Sequence, residues 1–242
     1  MSDSMKRNLK VMGETQSNGG SFDKVRIMGE CSVSGSIDAQ SCKVMGECTV
    51  SGDLSSGYLR NMGEVTVGGR LAAEESRLMG ETQVNGSCAL KQSSIYGELT
   101  VAKDLSGEEL KVHGMLNVAG NASLETLIMR GGIKVGGLLN CDQIDIILKI
   151  NAENIVKEIG AGSVSIKKRQ SFFSRAPITP FRADIIEGDH VSLEFTEAKV
   201  VRGVNVEIAD GCTIERVEYS GSYKTSGKIK VGEVVHLDAN KK

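Results

Sequence analysis

One tripeptide, Met-Gly-Glu, recurs at 12–14, 28–30, 45–47, 62–64 and 79–81, and continues as Tyr96-Gly97-Glu98, His113-Gly114-Met115 and Arg130-Gly131-Gly132. Its central glycines, Gly13, Gly29, Gly46, Gly63, Gly80, Gly97, Gly114 and Gly131, are spaced once by 16 residues and then six times by 17. A fixed period of this size marks a solenoid, and α-helical repeats are excluded because they run about 33–47 residues.

Position within the unit sets the chemistry. Two before the glycine stand Val11, Ile27, Val44, Asn61, Leu78, Ile95, Val112 and Met129. Two after it stand Thr15, Cys31, Cys48, Val65, Thr82, Leu99, Leu116 and Ile133, and four after it Ser17, Val33, Val50, Val67, Val84, Val101, Val118 and Val135. Eight after it come Ser21, Ile37, Leu54, Leu71, Cys88, Leu105, Ala122 and Leu139. A second glycine column, six after the first, holds Gly19, Gly35, Gly52, Gly69, Gly86, Gly120 and Gly137, with Lys103 as its exception. Even offsets are apolar or glycine and odd offsets mostly polar, which is the period of a strand. Short strands cannot bury an apolar side alone, but stacked coils can, at ~4.8 Å per coil. The expected fold is all-β, a single-stranded parallel β-helix whose eight regular coils would rise roughly 38 Å. A left-handed hexapeptide helix needs coils of 18; a 17-residue unit loses that phase in every coil.

The boundaries follow. Residues 1–8 read as a polar tail, 9–143 as regular coils and 144–166 as irregular coils. Residues 167–182 contain both prolines and three of the five phenylalanines, an excursion from the stack. Residues 183–220 form a second β-helix block, with Gly188 and Gly203 15 apart, and 221–242 a terminal strand and tail. Two unequal blocks of one rod are expected.

Composition excludes some functions. The net charge of −2 gives no basic surplus for nucleic acid. Residues 1–8 lead into no apolar signal segment, and no run approaches the roughly 18 apolar residues of a membrane span. Six cysteines without a C-x-x-C pair read as reduced thiols of a cytoplasmic protein, with Cys31 and Cys48 touching in the core. The three histidines, His113, His190 and His236, share no ligand spacing, and neither Gly-x-Gly-x-x-Gly nor a P-loop occurs. No cofactor, metal or catalytic site is expected. An enzyme of the carbohydrate-active β-helix class would need a groove with clustered carboxylates, and the pattern shows none.

Three columns face outward by strand parity. Lys10, Arg26, Lys43, Arg60, Arg77 and Lys111 form a basic one, with Ser94 interrupting it. Glu14, Glu30, Glu47, Glu64, Glu81 and Glu98 form an acidic one. Between them run Met12, Met28, Met45, Met62, Met79, Tyr96 and His113. Stacked glutamates repel by about 1 kcal/mol per neighbour in water, so the basic side chains are expected to lean over the thioethers and offset this. The stripe reads either as an amphipathic wall shielded by charged stems or as a lateral contact, with Met28, Met45, Met62, Met79 and Tyr96 as its residues.

The Met-Gly-Glu coils, the second glycine column and the apolar alternation resemble the bactofilins, bacterial polymer-forming cytoskeletal proteins. The second block, from Ile186-Glu187-Gly188-Asp189 through Ala198-Lys199-Val200-Val201-Arg202-Gly203 to Gly211-Cys212 and Val217-Glu218-Tyr219, is similar to the longer form in spore-forming Gram-positive bacteria. The resemblance covers roughly 9–220. It implies a right-handed β-helix, nucleotide-independent filaments, and scaffolding of cell shape, envelope localisation or motility, at the inner face of the membrane or elsewhere in the cytoplasm. The partner it implies is the chain itself, with other bactofilin-like chains or envelope and motility proteins beside it. Met1 to Lys10 lacks the membrane-targeting peptide of some members, so direct membrane binding is not expected. Leu9 and Val11 at one end, and Ile229 and Val231 at the other, are the candidate polymer edges, because open strand edges template pairing. The alternative is a non-polymerising β-helix module that binds an envelope or flagellar partner.

Overall fold

The computed structural model describes residues 7–149, 152–168 and 179–237. Among them no residue is helical, every strand pairing is parallel, and the turns form a β-solenoid. The chain forms two compact units, Met1–Gly120 and Asn121–Lys242.

In the first unit long and short strands alternate: β1 (Arg7–Val11), β2 (Glu14–Ser17), β3 (Gly20–Ile27), β4 (Glu30–Val33), β5 (Ile37–Val44), β6 (Glu47–Val50), β7 (Leu54–Asn61), β8 (Glu64–Val67), β9 (Leu71–Leu78), β10 (Glu81–Val84), β11 (Cys88–Ile95), β12 (Glu98–Val101), β13 (Leu105–Val112) and β14 (Met115–Val118). Odd-numbered strands stack on odd and even on even, so Ile37 lies beside Leu54 and Val33 beside Val50. Val33, Val50, Val67, Val84 and Val101 are all buried, one upon the next.

Strict alternation holds in the short strands and breaks inside the long ones. In β5, Ala39 and Cys42 are buried while Gln40 and Ser41 both turn outward. Two consecutive outward residues make a corner, so each coil has three sides: 37–39, 41–44 and 47–50 in this one. The corner adds an inward column that period 2 passes over: Val25, Cys42, Leu59, Ser76, Ser93 and Leu110, all buried.

The first coil departs from the expected phase. Gly20 pairs with Ile37, Ser21 with Asp38 and Phe22 with Ala39. Ser21 therefore faces outward and the Phe22 ring fills the core. The 16-residue spacing places the missing residue before Gly20, which shifts Ser21 out of the apolar column.

The Met-Gly-Glu glycines are explained by space. A Cβ on Gly63 would collide with the carbonyl oxygen of Gly46, and one on Gly80 with that of Gly63. The same holds at Gly29, Gly46, Gly97 and Gly114, each against the glycine of the coil before. Of this column only Gly13, in the first coil, has a positive φ, of 93°.

The second unit contains β15 (Ala122–Met129), β16 (Gly132–Leu148), β17 (Asn154–Lys168), β18 (Phe181–Leu193), β19 (Thr196–Ile208), β20 (Thr213–Thr225) and β21 (Lys230–His236), each stacked on the next. The 17-residue register continues through Ile144 and Ile146, paired with Leu127 and Met129, and changes after Leu148. Ile166 pairs with Leu193, so the intervening coil is long; its residues 169–178, most of the expected proline excursion, lie outside the described residues. Gly188 pairs with Gly203, the short coil of 15 that their spacing predicts.

Replacing Gly63 by Ala forces a methyl group onto the coil below and should cost about 1–3 kcal/mol. Met62→Ala, on the surface one residue earlier, should stay within about 0.5 kcal/mol. Urea unfolding followed by circular dichroism measures both.

Candidate functional site

Three features stand out: open strand edges, an exposed methionine column and an acidic groove. In the first unit β1 pairs with β3 alone and β2 with β4 alone among the described residues. Leu9 lies beside Val25, half-buried, and Val11 beside Ile27, buried. In the second unit β21 pairs with β20 alone among the described residues. Val231 is on β21, half-buried beside Ile214; Ile229 falls just before the strand. Val234, paired with Val217, is 45% exposed, although Val217 itself is fully buried. Among the described residues, β1, β2 and β21 thus have a ladder on one side only, and β21 exposes apolar side chains at positions that earlier strands bury.

The methionine column lies on a corner. Met45 and Gly46 form the turn between β5 and β6, with Lys43 at the end of one side and Glu47 at the start of the next. Met12, Met28, Met45, Met62 and Met79 are 40–66% exposed, and Tyr96 is 46% exposed. The Tyr96 ring stacks on His113 with centroids 5.1 Å apart, and the Arg77 guanidinium lies 5.2 Å above Tyr96. Lys43 Nζ sits over the Tyr58 ring, 5.8 Å from its centroid. Arg77 leans over Tyr96 of the intervening column, as expected of the basic side chains, but no side chain of the basic column forms an ion pair with the glutamate column among the described residues. Glu30, Glu47, Glu64 and Glu81 form no ion pair with a described residue, nor do Arg26 and Arg60. A corner separates the two columns onto different sides of the coil, which one strand's parity cannot convey.

The second unit carries an open groove of about 680 Å³. Ala161, Gly188 and Gly203 stack along it, and Asp142, Glu158, Glu187 and Asp189 line it. The expectation of no carboxylate-lined groove is corrected here: the four acids come from three successive strands, Asp142 on β16, Glu158 on β17 and Glu187 with Asp189 on β18, and share the groove only once those coils stack. One wall is tied by an ion-pair ladder. Arg202 bonds Glu187 at 3.0 Å and Glu218 at 2.7 Å; Arg216 bonds Glu218 at 2.7 Å and Glu233 at 2.6 Å. The guanidiniums, that of Arg202 first, hold the Glu218 carboxyl below its usual range.

The histidines stand apart: His113 on Tyr96, His190 beside Asn205 at 3.2 Å, His236 tilted on Tyr219 at 4.9 Å. No group of three His, Cys, Asp or Glu suited to a metal occurs among the described residues. Cys31 and Cys48 stack in register in the core, and Cys42 joins them from the corner column. Burial pushes the thiols of Cys42, Cys48, Cys88 and Cys141 up to about 12. Two polar bridges in the core were not foreseen. Asn61, fully buried, donates to the Thr82 hydroxyl at 3.0 Å and the Glu81 carbonyl at 2.7 Å, and accepts from the Gly63 amide at 2.8 Å. Ser76 and Ser93 bond each other at 2.6 Å. Asn61 breaking an aliphatic column and Thr82 breaking a neighbouring one, 21 residues apart, were the available signal.

The fold defines a class, a parallel β-solenoid. No family model and no solved structure matches the chain. It is similar to the uncharacterized protein YhbF of Bacillus subtilis, 48% identical over 83 residues, which is 34% of each chain. It is also similar to the uncharacterized protein YhbE of the same organism, 42% identical over 91 residues, or 36% of this chain and 38% of that one. The match thus spans just over a third of the length of these relatives. Among the described residues no helix is long and apolar enough to cross a membrane.

A native thiol held near 12, against an ordinary 9.0, keeps its proton after an unfolded one has lost it. The stability from these four thiols is therefore complete below pH 9 and is lost as pH rises toward 12. Urea midpoints should fall across that window, and a Cys42→Ala, Cys48→Ala, Cys88→Ala variant should show a shallower fall.

Proposed function

We propose that this protein is a structural, self-assembling β-solenoid, a bactofilin-like cytoskeletal scaffold. It assembles end to end without nucleotide, in the cytoplasm, with itself as the main partner. The observation that carries this reading is the pair of parallel ladders left one-sided among the described residues, one at β1 and β2 and one at β21. Open edges of this kind recruit another chain. The β21 edge of one copy meets the β1 edge of the next in the parallel sense that every internal coil already uses. A head-to-tail contact that does not close on itself produces filaments. Apolar burial adds to the backbone ladder, because Val231, Val234 and Leu9 are only partly covered. No step consumes energy, so no nucleotide or catalytic group enters the mechanism.

The acidic groove supports a second reading, a non-polymerising module that binds an extended cationic partner along the coils of the second unit. Sedimentation separates the two.

Purified protein in nucleotide-free buffer should show filaments by negative-stain microscopy. Leu9→Lys and Val231→Lys place a charge on each edge, a device that blocks strand addition; both should sediment as monomers with an unchanged circular-dichroism spectrum. Monodisperse wild-type monomers, or filaments indifferent to both substitutions, would overturn the reading.

A further inference from the structure

The methionine corner is an unsatisfied surface of a particular kind. Five methionines and Tyr96 run along it at one residue per coil, each at least 40% exposed. At ~4.8 Å per coil the column from Met12 to Tyr96 is about 24 Å long. One flank is a ladder of like negative charge, Glu30 beside Glu47 beside Glu64 beside Glu81. The other holds Arg26, Lys43, Arg60 and Arg77 in the same register. The glutamates, Arg26 and Arg60 have no ion-pair partner among the described residues, and the Arg60 Nε is shielded from solvent with no hydrogen bond. A corner that is apolar, acidic on one side and basic on the other complements itself.

We propose that the corner is a side-by-side interface with a second copy of this chain, and that its charge columns allow only the parallel sense. The reason is symmetry. A two-fold axis running along the coil stack sets methionine against methionine and swaps the flanks, so each copy's glutamates face the other's arginines and lysine. A two-fold axis across the stack leaves the flanks unswapped and opposes acid to acid and base to base. The parallel arrangement also keeps the copies level, so Met28 meets Met28 and Met79 meets Met79. Each exposed pair contributes little in water, but the pairs repeat every coil, and methionine adapts to an imperfect surface. The contact does not rest on end-to-end assembly; where copies also stack, it multiplies along their length.

Cross-linking of the full chain with a short bis-maleimide tests this. The native cysteines are buried, so Met28→Cys and Met79→Cys each supply a new reactive site. Each variant alone should give a covalent dimer, and a mixture of the two, distinguished by size tags, should give 28–28 and 79–79 products without 28–79. Reversing the acids, Glu47→Arg with Glu64→Arg, should lower the Met28→Cys dimer yield about fivefold to tenfold. Adding Lys43→Glu and Arg60→Glu should restore it, which a mere folding defect would not do. A dominant 28–79 product, no dimer from either variant, or indifference to charge reversal overturns the proposal. Residue 28 of one copy lies far from residue 28 of an end-stacked neighbour, so loss of filaments and loss of this cross-link are read separately.

Discussion

Each coil of the first unit rests its Met-Gly-Glu corner on the backbone carbonyl of the corner before it. That contact tolerates nothing larger than a hydrogen at Gly29, Gly46, Gly63, Gly80, Gly97 and Gly114. It fixes the rise per coil, and the rise brings every equivalent residue into contact with its own repeat. Column chemistry then follows: valine on valine inside, glutamate beside glutamate and methionine beside methionine outside. The interior gains from likeness, since aliphatic side chains pack on each other. The exterior does not, since like charges repel.

Most of the first unit was legible because a repeat states the same sentence several times. The 17-residue spacing gave the coil, and the Val33 to Val101 column gave its interior. The corner at Gln40–Ser41 was not legible, because two outward residues in succession look like noise to a period of two. Its loss hid Cys42 and the whole column from Val25 to Leu110. Phe22 escaped for a different reason: a single missing residue in the first coil shifts the phase, and only pairing shows where the gap lies. In the second unit register varies from coil to coil, so the convergence of Asp142, Glu158, Glu187 and Asp189 on one groove depends on offsets no spacing reveals.

The candidate surfaces divide the same way. That the methionines face outward could be read from parity. That the acidic and basic ladders stay apart could not, because it depends on a bend between adjacent strands. The open edge at β21 was expected, but its uncovered Val234 was not.

Asn61 and the Ser76–Ser93 pair bear on how such a chain finds its alignment. A ladder built from near-identical turns can be mis-threaded by a whole turn at little loss, because valine again meets valine. A unique amide removes that degeneracy. Skip one turn above Asn61 and its side chain faces Leu99 in place of Thr82, stranding a donor in a dry interior. The cost of that error, about 1–3 kcal/mol, is a proofreading mark written into an otherwise monotonous text.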